Sequence, residues 1–296
     1  MLYGPPPLAG ADPTINALSA AVQKCQADFA ACRYDALARK LPQRLALTYA
    51  CDDDSAVGAR AALFNLATRL CIKLGDDRLS AVTADRAVTT ARDGADLLAL
   101  AEAHRMVSSV CRRRGDYERA TKIAVHAAEQ LASGKSIDRS GRLSTQGNLY
   151  ASAAYSAAKA GDRDSANALI TEAAAVATQL GRDANVGGFF GPSQVALHQV
   201  SVHHLLGDAG AAISHARTIA VDRLPAERQA RLWIDVARAF DQWDKPERCY
   251  RALLSAEVAA PQEVRRGSVR TLATGLLRHD RVLPDVRTFA KRIGGA

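Results

Sequence analysis

The side chains best suited to chemistry in this sequence lie at helical spacing before four Gly-Asp pairs. The pairs begin at Gly75, Gly115, Gly161 and Gly207. Residues three, six, ten and thirteen positions before each glycine share one helix face and mix Arg, Asn, Gln, Tyr and His with small residues. A guanidinium can grip a carboxylate with two hydrogen bonds, and an amide can hold an extended peptide backbone. This face therefore predicts a binding site for an anionic or peptide-like ligand.

The candidate binding set combines that face with two aromatic residues from the glycine-rich stretch 185–192, NVGGFFGP. The alternative for the polar members is that they are ordinary solvated residues of a groove. Adjacent phenylalanines are unfavourable to expose, so they either fill the interior of the helix array, which we favour, or wall a ligand pocket. The set is Asn65, Arg69, Arg105, Ser109, Arg112, Asn148, Tyr155, Phe189, Phe190, Gln194, Leu197, Ser201 and His204.

Signals for catalysis or metal binding are lacking in the sequence. His198, His203 and His204 are spaced by five and six residues, whereas two imidazoles on one helix face need three or four. Asp52, Asp53 and Asp54 are better explained as a helix N-terminal cap. We find no nucleophile–base arrangement and no phosphate-cradling glycine loop. The six cysteines show no CxxC spacing and are expected to be buried, reduced thiols. We expect no catalytic residue, metal or cofactor.

The elements that position these residues are helix pairs, each closed by a Gly-Asp corner. The four corners recur at intervals of 40, 46 and 46 residues. Glycine accepts the left-handed conformation that ends one helix, and aspartate caps the next. Alanines at 120, 166 and 212 follow three of the corners, where the two helices would cross most closely. Weaker copies begin at Arg33-Tyr34 and Trp243-Asp244.

The whole chain therefore predicts an all-α fold. Aromatic residues make up only 5% of the chain, and its apolar content is mainly Ala, Leu and Val, which suits closely packed helices. We expect an extended linker over 1–13, with Pro5-Pro6-Pro7, and one helical domain over 14–293. About fourteen helices are predicted, at 14–31, 34–49, 55–74, 78–92, 95–114, 116–133, 138–160, 162–180, 192–206, 208–221, 225–242, 245–259, 261–279 and 284–293.

Charge and hydropathy constrain the partners. The net charge of +8 is moderate and comes from scattered arginines, so nucleic-acid contact is a weaker alternative rather than the expectation. Met1 to Gly10 has neither the basic region nor the apolar run of a signal peptide. No stretch reaches the roughly 18 to 20 apolar residues that span a bilayer. We expect a cytoplasmic protein with no membrane partner.

The helix pairs with their GDYxxA-type corners resemble tetratricopeptide repeats over about residues 33 to 260. The resemblance implies a right-handed superhelical solenoid of antiparallel helix pairs. Phe64 and Tyr150 stand where the repeat has a bulky residue, but His104 and Ala196 depart from it. The Lys/Asn clamp of co-chaperone repeats is not reproduced, because Arg105 occupies one clamp position while Ser109 replaces the asparagine.

The stretch FFGPSQVALHQVSVHHLLGD, residues 189–208, is similar to the C-terminal half of actinobacterial helix-turn-helix (XRE-type) transcriptional regulators. That resemblance implies a regulatory sensor that binds a peptide or small molecule in its concave groove, with the DNA-binding unit absent from this chain or truncated. The alternative is a constitutive protein–protein scaffold. The helices after Pro261 either cap the array, which is the default expectation, or pair two chains in a homodimer.

Overall fold

The computed structural model describes residues 14–51, 56–132, 138–185 and 188–294. Fifteen α-helices, α1 to α15, lie in these ranges, and none is long and apolar enough to cross a bilayer. In chain order they are Ile15–Ala30, Tyr34–Tyr49, Ala56–Leu74, Asp77–Asp93, Leu97–Arg113, Tyr117–Ala132, Arg139–Ala160, Arg163–Leu180, Pro192–Leu205, Ala209–Arg217, Ala226–Gln242, Pro246–Ala259, Pro261–Val264, Gly267–Gly275 and Val286–Arg292.

The predicted all-α array of antiparallel helix pairs is confirmed. It differs from the prediction locally at the β hairpin, at the end of α10 and in the segment 261–279. A short antiparallel hairpin of β1 (Ala184–Asn185) and β2 (Phe189–Phe190) replaces part of the predicted loop. Helix α10 ends earlier than predicted and is followed by a 3-10 helix, Val221–Arg223. The predicted linker over 1–13 and the aspartate cap at 52–54 lie outside the described residues.

The predicted single helix 261–279 is wrong, because the chain forms α13, α14 and a 3-10 helix, Leu276–His279. Arg266 between α13 and α14 has an extended backbone (ψ 144°), which interrupts the helix. Glu263 of α13 is fully buried and paired with Lys73 of α3. A long-range ion pair therefore fixes this segment against its local helical propensity.

The Gly-Asp corners have the predicted backbone geometry. The four glycines lie in the left-handed region, with φ between 79° and 85°. Asp76 accepts a hydrogen bond from the Leu79 amide at 2.9 Å, and Asp162 accepts one from the Ser165 amide at 3.0 Å. The expected close-crossing alanines at 120, 166 and 212 are fully buried. The corners thus set the helix pairs at the short separation that alanine permits.

The fourth corner differs from the prediction, since Asp208 makes no side-chain cap. Its carboxylate instead pairs with Arg163 of the preceding helix pair, 2.5 Å from the guanidinium.

Removing the cap in Asp76→Ala should lower the free energy of unfolding by about 1 kcal/mol. Asp208→Ala removes only an exposed ion pair, so we expect a smaller loss. Paired urea denaturation curves measure both, and equal losses would contradict the distinction between cap and ion pair.

The helices form an inner and an outer layer. Each odd-numbered helix from α1 to α11 contacts the next odd-numbered one, while the even-numbered helices pack against their sequence neighbours from outside. Helix α11 also contacts α1. The inner layer is therefore not an open groove. Its first and last helices contact each other, so the layer closes around a central cavity.

Contacts between the two ends of the array close it. The backbone amide of Tyr34, at the start of α2, donates to Gln262 Oε1 at 2.6 Å, and the Tyr34 hydroxyl donates to the Glu263 carboxylate. Lys73 Nζ lies 2.6 Å from Glu227 Oε1 of α11 and 2.8 Å from Glu263 Oε1. Both carboxylates are buried, so this junction combines hydrogen bonds with a desolvated ion-pair network.

Candidate functional site

The inner helices surround a central cavity with two connected lobes, of about 570 Å³ and about 390 Å³. The larger lobe takes most of its walls from α3, α5, α7, α9 and α11, with single residues from α1, α6 and the start of α14, and the smaller one takes most of its walls from α1, α3, α5, α11 and the β2 strand. Phe29, Arg69, Glu227 and Arg228 line both lobes and stand between them. Each lobe by itself is in the size range of small-molecule sites.

Most of the predicted binding residues reach this cavity. Two of them, Asn65 and Phe189, line the smaller lobe. Seven line the larger lobe, namely Arg69, Arg105, Ser109, Arg112, Tyr155, Gln194 and His204. Counting back from the Gly-Asp corners thus identifies the inward face of α3, α5, α7 and α9, because each corner fixes the rotation of the helix before it.

Four predicted residues do not line either lobe. Phe190 is fully buried against α7, and Leu197 is buried in the apolar core that α9 shares with α11. Asn148 donates to the Phe189 carbonyl at 3.4 Å and so supports the hairpin. Ser201 is buried and donates to Asp235 at 2.5 Å. These four residues stabilise the wall of the cavity. Phe190 fills the apolar core, which is the interpretation favoured for both phenylalanines, whereas Phe189 lines the smaller lobe.

Helix α11 supplies wall residues that the sequence prediction missed. Arg231, Ile234 and Arg238 line the larger lobe, and they lie thirteen, ten and six residues before Asp244. Asp244 has φ 51°, so it holds the left-handed corner position in place of glycine. The same spacing before Cys32, with φ 56°, gives Phe29. In both weak repeat copies the left-handed residue is one position away from the first residue of the pair, at Cys32 and at Asp244. Counting back from the pairs themselves therefore misses these wall residues.

The larger lobe is strongly cationic. Ten arginine or lysine side chains line it, against two carboxylates, Glu227 and Asp235. Some of the cations are paired with carboxylates that do not line the larger lobe, as in Arg105 with Glu102 and Arg266 with Glu263. The remaining cations still leave an excess of positive charge around the cavity, which attracts anions.

Arg112 is the most exceptional of these cations. Its guanidinium donates to the hydroxyls of Ser109, Ser152 and Ser156 at 3.0–3.3 Å and has no carboxylate within 4 Å among the described residues. Burial is the main cause that lowers its pKa, to about 10, and the nearby Arg231 acts in the same direction. Arg112 is half-buried, and a guanidinium partly removed from water with only neutral partners is electrostatically unsatisfied.

Arg69 is a second cation without a carboxylate partner in the described part of the chain. Its guanidinium lies over the Phe29 ring, 4.1 Å from the ring centroid. Burial and then the neighbouring Arg105 lower its pKa to about 10. Arg69 therefore adds positive potential at the point where the two lobes meet.

Buried polar groups of α9 face the same lobe. Gln194 and His198 are nearly fully buried, and Gln194 Oε1 and His198 Nδ1 have no hydrogen-bond partner among the described residues. Burial, followed by Arg231 and Arg228, lowers the pKa of His198 well below its ordinary value, so its imidazole is neutral at pH 7. Unpaired polar atoms at such depth are rare, and here they point to a ligand.

The histidines of α9 divide between two environments. His198 and His204 both line the larger lobe although they are six residues apart. The counting rule names His204 but not His198, because the lobe covers a wider arc of α9 than the counted positions do. His203 instead stacks on His215, with ring centroids 4.9 Å apart.

All six cysteines are unpaired. Cys51 and Cys111 are only half-buried, which differs from the buried thiols expected.

Comparison with known proteins adds little. No protein-family model matches this chain, and no curated protein sequence matches it. Among matching solved structures is BtubC (BKLC) from P. vanneervenii, which is 14% identical in sequence, with 88% of this chain and 91% of that chain covered. The TM-score is 0.46, and a similarity of this strength carries no argument about function.

Proposed function

We propose that this chain is a non-catalytic binding module that acts as a regulatory sensor. A peptide or small molecule occupies the central cavity, and the resulting change in the helix ring is relayed to transcriptional control through a DNA-binding unit or a partner protein. We place the protein in the cytoplasm. The observation that carries the proposal is the central cavity itself, whose walls present unpaired cations and unpaired buried polar atoms from successive inner helices.

The junction between the ends of the array supports a relay. It joins α2 and α3 to α11 and α13 by polar contacts rather than by a covalent connection. A ligand in the cavity that draws α5 and α11 together would act on the same closed layer of inner helices. Packed helices that meet through polar contacts can shift between discrete arrangements, so occupancy of the cavity can alter the outer surface.

The test is native mass spectrometry of the protein purified from its own host. We expect an additional mass below about 1,000 Da that is released on denaturation, consistent with the size of the larger lobe. Small-angle scattering of the loaded and stripped protein should then differ in radius of gyration. Protein that carries no added mass in any preparation and keeps one scattering curve would contradict the sensor.

A constitutive scaffold is the alternative, and exposed apolar residues give it some support. Trp243 and Val258 are exposed, as are Leu74 and Leu79 beside the first Gly-Asp corner. If the chain is a scaffold, we expect a protein partner that dissociates slowly and binds on the outer surface without changing the central cavity. Direct nucleic-acid contact is the weaker alternative, and it predicts binding that falls steeply with added salt.

A further inference from the structure

Besides Arg69, two further arginines of the larger lobe lack adequate counter-charge among the described residues. In the described part of the chain, the hydrogen bonds of the Arg112 guanidinium of α5 go only to serine oxygens. Arg231 of α11 has its carboxylate neighbour, Asp235, at 3.9 Å, beyond hydrogen-bond distance. Asp235 is already engaged by Arg238 at 3.0 Å and by the Ser201 hydroxyl. Both guanidinium groups therefore retain most of their positive charge toward the cavity.

These two arginines face a common aromatic ring. The guanidinium carbons of Arg112 and Arg231 lie 5.0 Å and 5.5 Å from the Tyr155 ring centroid. His198 packs against the same ring edge-on, with centroids 6.4 Å apart. We call Arg112, Tyr155, His198 and Arg231 the head site, and its members come from four successive inner helices, α5, α7, α9 and α11.

We propose that the head site binds the phosphate dianion of a small organic molecule, whose remaining part occupies the rest of the larger lobe. This inference rests on the proposed function, since it takes the central cavity as the ligand site and specifies the class of ligand. The charge excess, the placement of both guanidinium groups beside the Tyr155 ring and the unpaired atoms of Gln194 and His198 carry it together.

A phosphate monoester matches this site better than a carboxylate does. One carboxylate carries one charge and two oxygens, which a single guanidinium satisfies in bidentate fashion. A phosphate monoester carries nearly two charges and three terminal oxygens at pH 7. It can therefore accept from Arg112 and Arg231 together, and its third oxygen can accept from the single N–H of the neutral His198 imidazole.

The size of the lobe indicates an organic ligand rather than a free ion. The lobe of about 570 Å³ is many times larger than one phosphate group. Apolar wall residues such as Met106 and Ile234 lie beside the cations. The phosphate would thus anchor the ligand, and the less polar part of the wall would contact its organic portion.

The experiment uses inorganic phosphate and pyrophosphate as probes of the full chain, with citrate as the carboxylate arm, all at constant ionic strength. Isothermal titration calorimetry gives the affinity and thermal unfolding gives the shift in Tm. We expect pyrophosphate to bind at least tenfold more tightly than citrate. Arg112→Met and Arg231→Met should each weaken pyrophosphate binding at least tenfold. The matched control is Arg86→Met, on the exposed outer face of α4, which should leave the affinity unchanged within twofold.

The ligand-free Tm provides a second measurement. Since Arg112 is a half-buried cation with no carboxylate partner among the described residues, Arg112→Met should keep or raise the Tm without added anion, while losing the Tm increase that pyrophosphate gives to the wild type. Should that variant fail to fold, Arg231→Met and Arg112→Lys give the same comparison of affinities.

The outcomes separate this inference from the proposed function. No Tm shift with pyrophosphate, equal binding of citrate, or an Arg86→Met loss as large as that of Arg112→Met would each overturn the phosphate site. A neutral or cationic molecule found in the host protein would leave the sensor standing while refuting the phosphate. Pyrophosphate binding through Arg112 and Arg231 without any change in scattering would keep the phosphate site and refute the relay.

Discussion

Replacing Lys73 with methionine will lower the free energy of unfolding by about 3–5 kcal/mol, because the substitution breaks a buried ion pair from one side. Its ammonium lies within 2.8 Å of both Glu227 and Glu263. Without it, the cationic partners that these carboxylates keep among the described residues are Arg228 and Arg266, each at more than 3 Å, while Glu263 also keeps the Tyr34 hydroxyl. Urea denaturation at pH 7 measures the loss.

The matched control is Lys24→Met on the exposed face of α1, which removes the same charge without touching the junction. We expect no measurable change in stability from it. A loss of equal size in both variants would show that net charge, and not the junction, sets the effect. A stable Lys73→Met protein would mean that the two ends of the array are held by other contacts.

The same junction sets a pH dependence. Burial opposes the charged form of Glu227, but Arg228 and Lys73 outweigh it and hold its pKa well below the ordinary 4.5. A folded pKa below the unfolded one contributes stability that is fully present above about pH 4.5 and is lost as the pH falls through the folded value. The advantage of the wild type over Lys73→Met should therefore shrink as the pH is lowered below 4.5. A constant difference between pH 7 and pH 3 would contradict this assignment.

Phe190→Ala should also lower the free energy of unfolding by about 3–5 kcal/mol, the usual range for emptying a fully buried aromatic site. Phe190 is fully buried in the core formed by α7, α8 and α9. Its ring fills the space left by Gly147 of α7, where an added Cβ would lie 1.9 Å from Phe190 Cζ. Thermal and urea unfolding of the purified variant measure the change.

A double-mutant cycle tests whether Gly147 and Phe190 are coupled. Gly147→Ala alone should destabilise the protein by about 1–3 kcal/mol, because the ring has to move away. In the Phe190→Ala background the same substitution should lose much less stability. Additive effects would show that the two residues do not share one space. Loss of the ring should also disturb Phe189, which neighbours it on β2 and lines the smaller lobe.

Features of this fold that depend on a short stretch of sequence could be predicted, whereas features that depend on distant residues could not. The corners at Gly75, Gly115 and Gly161 depend on one left-handed residue and its capping neighbour, so a short stretch of sequence predicts them. The inward rotation of Arg112 and Tyr155 follows from the corner after each helix. Where the corner residue is not glycine, as at Asp244, the local signal weakens and the inner face of α11 was missed.

The site also contains residues whose role depends on distant partners. Leu197 and Ser201 stand at the spacing that predicts an inward position, yet both are buried against α11. Spacing along one helix gives rotation, but it does not say which neighbour covers that side. For the same reason the sequence suggested a groove residue at Asn148, whose amide supports the Phe189 backbone instead.

The all-α class, the paired helices and most of the inward face follow from local sequence patterns, since helix periodicity and corner chemistry act over a few residues. Long-range packing was needed to bring α1 against α11, to join Lys73 to Glu227 and Glu263, and to leave Arg112 without a carboxylate among the described residues. These features join residues more than forty positions apart in the chain. Their formation depends on the summed rotation and spacing of every helix pair between them, which no local pattern encodes.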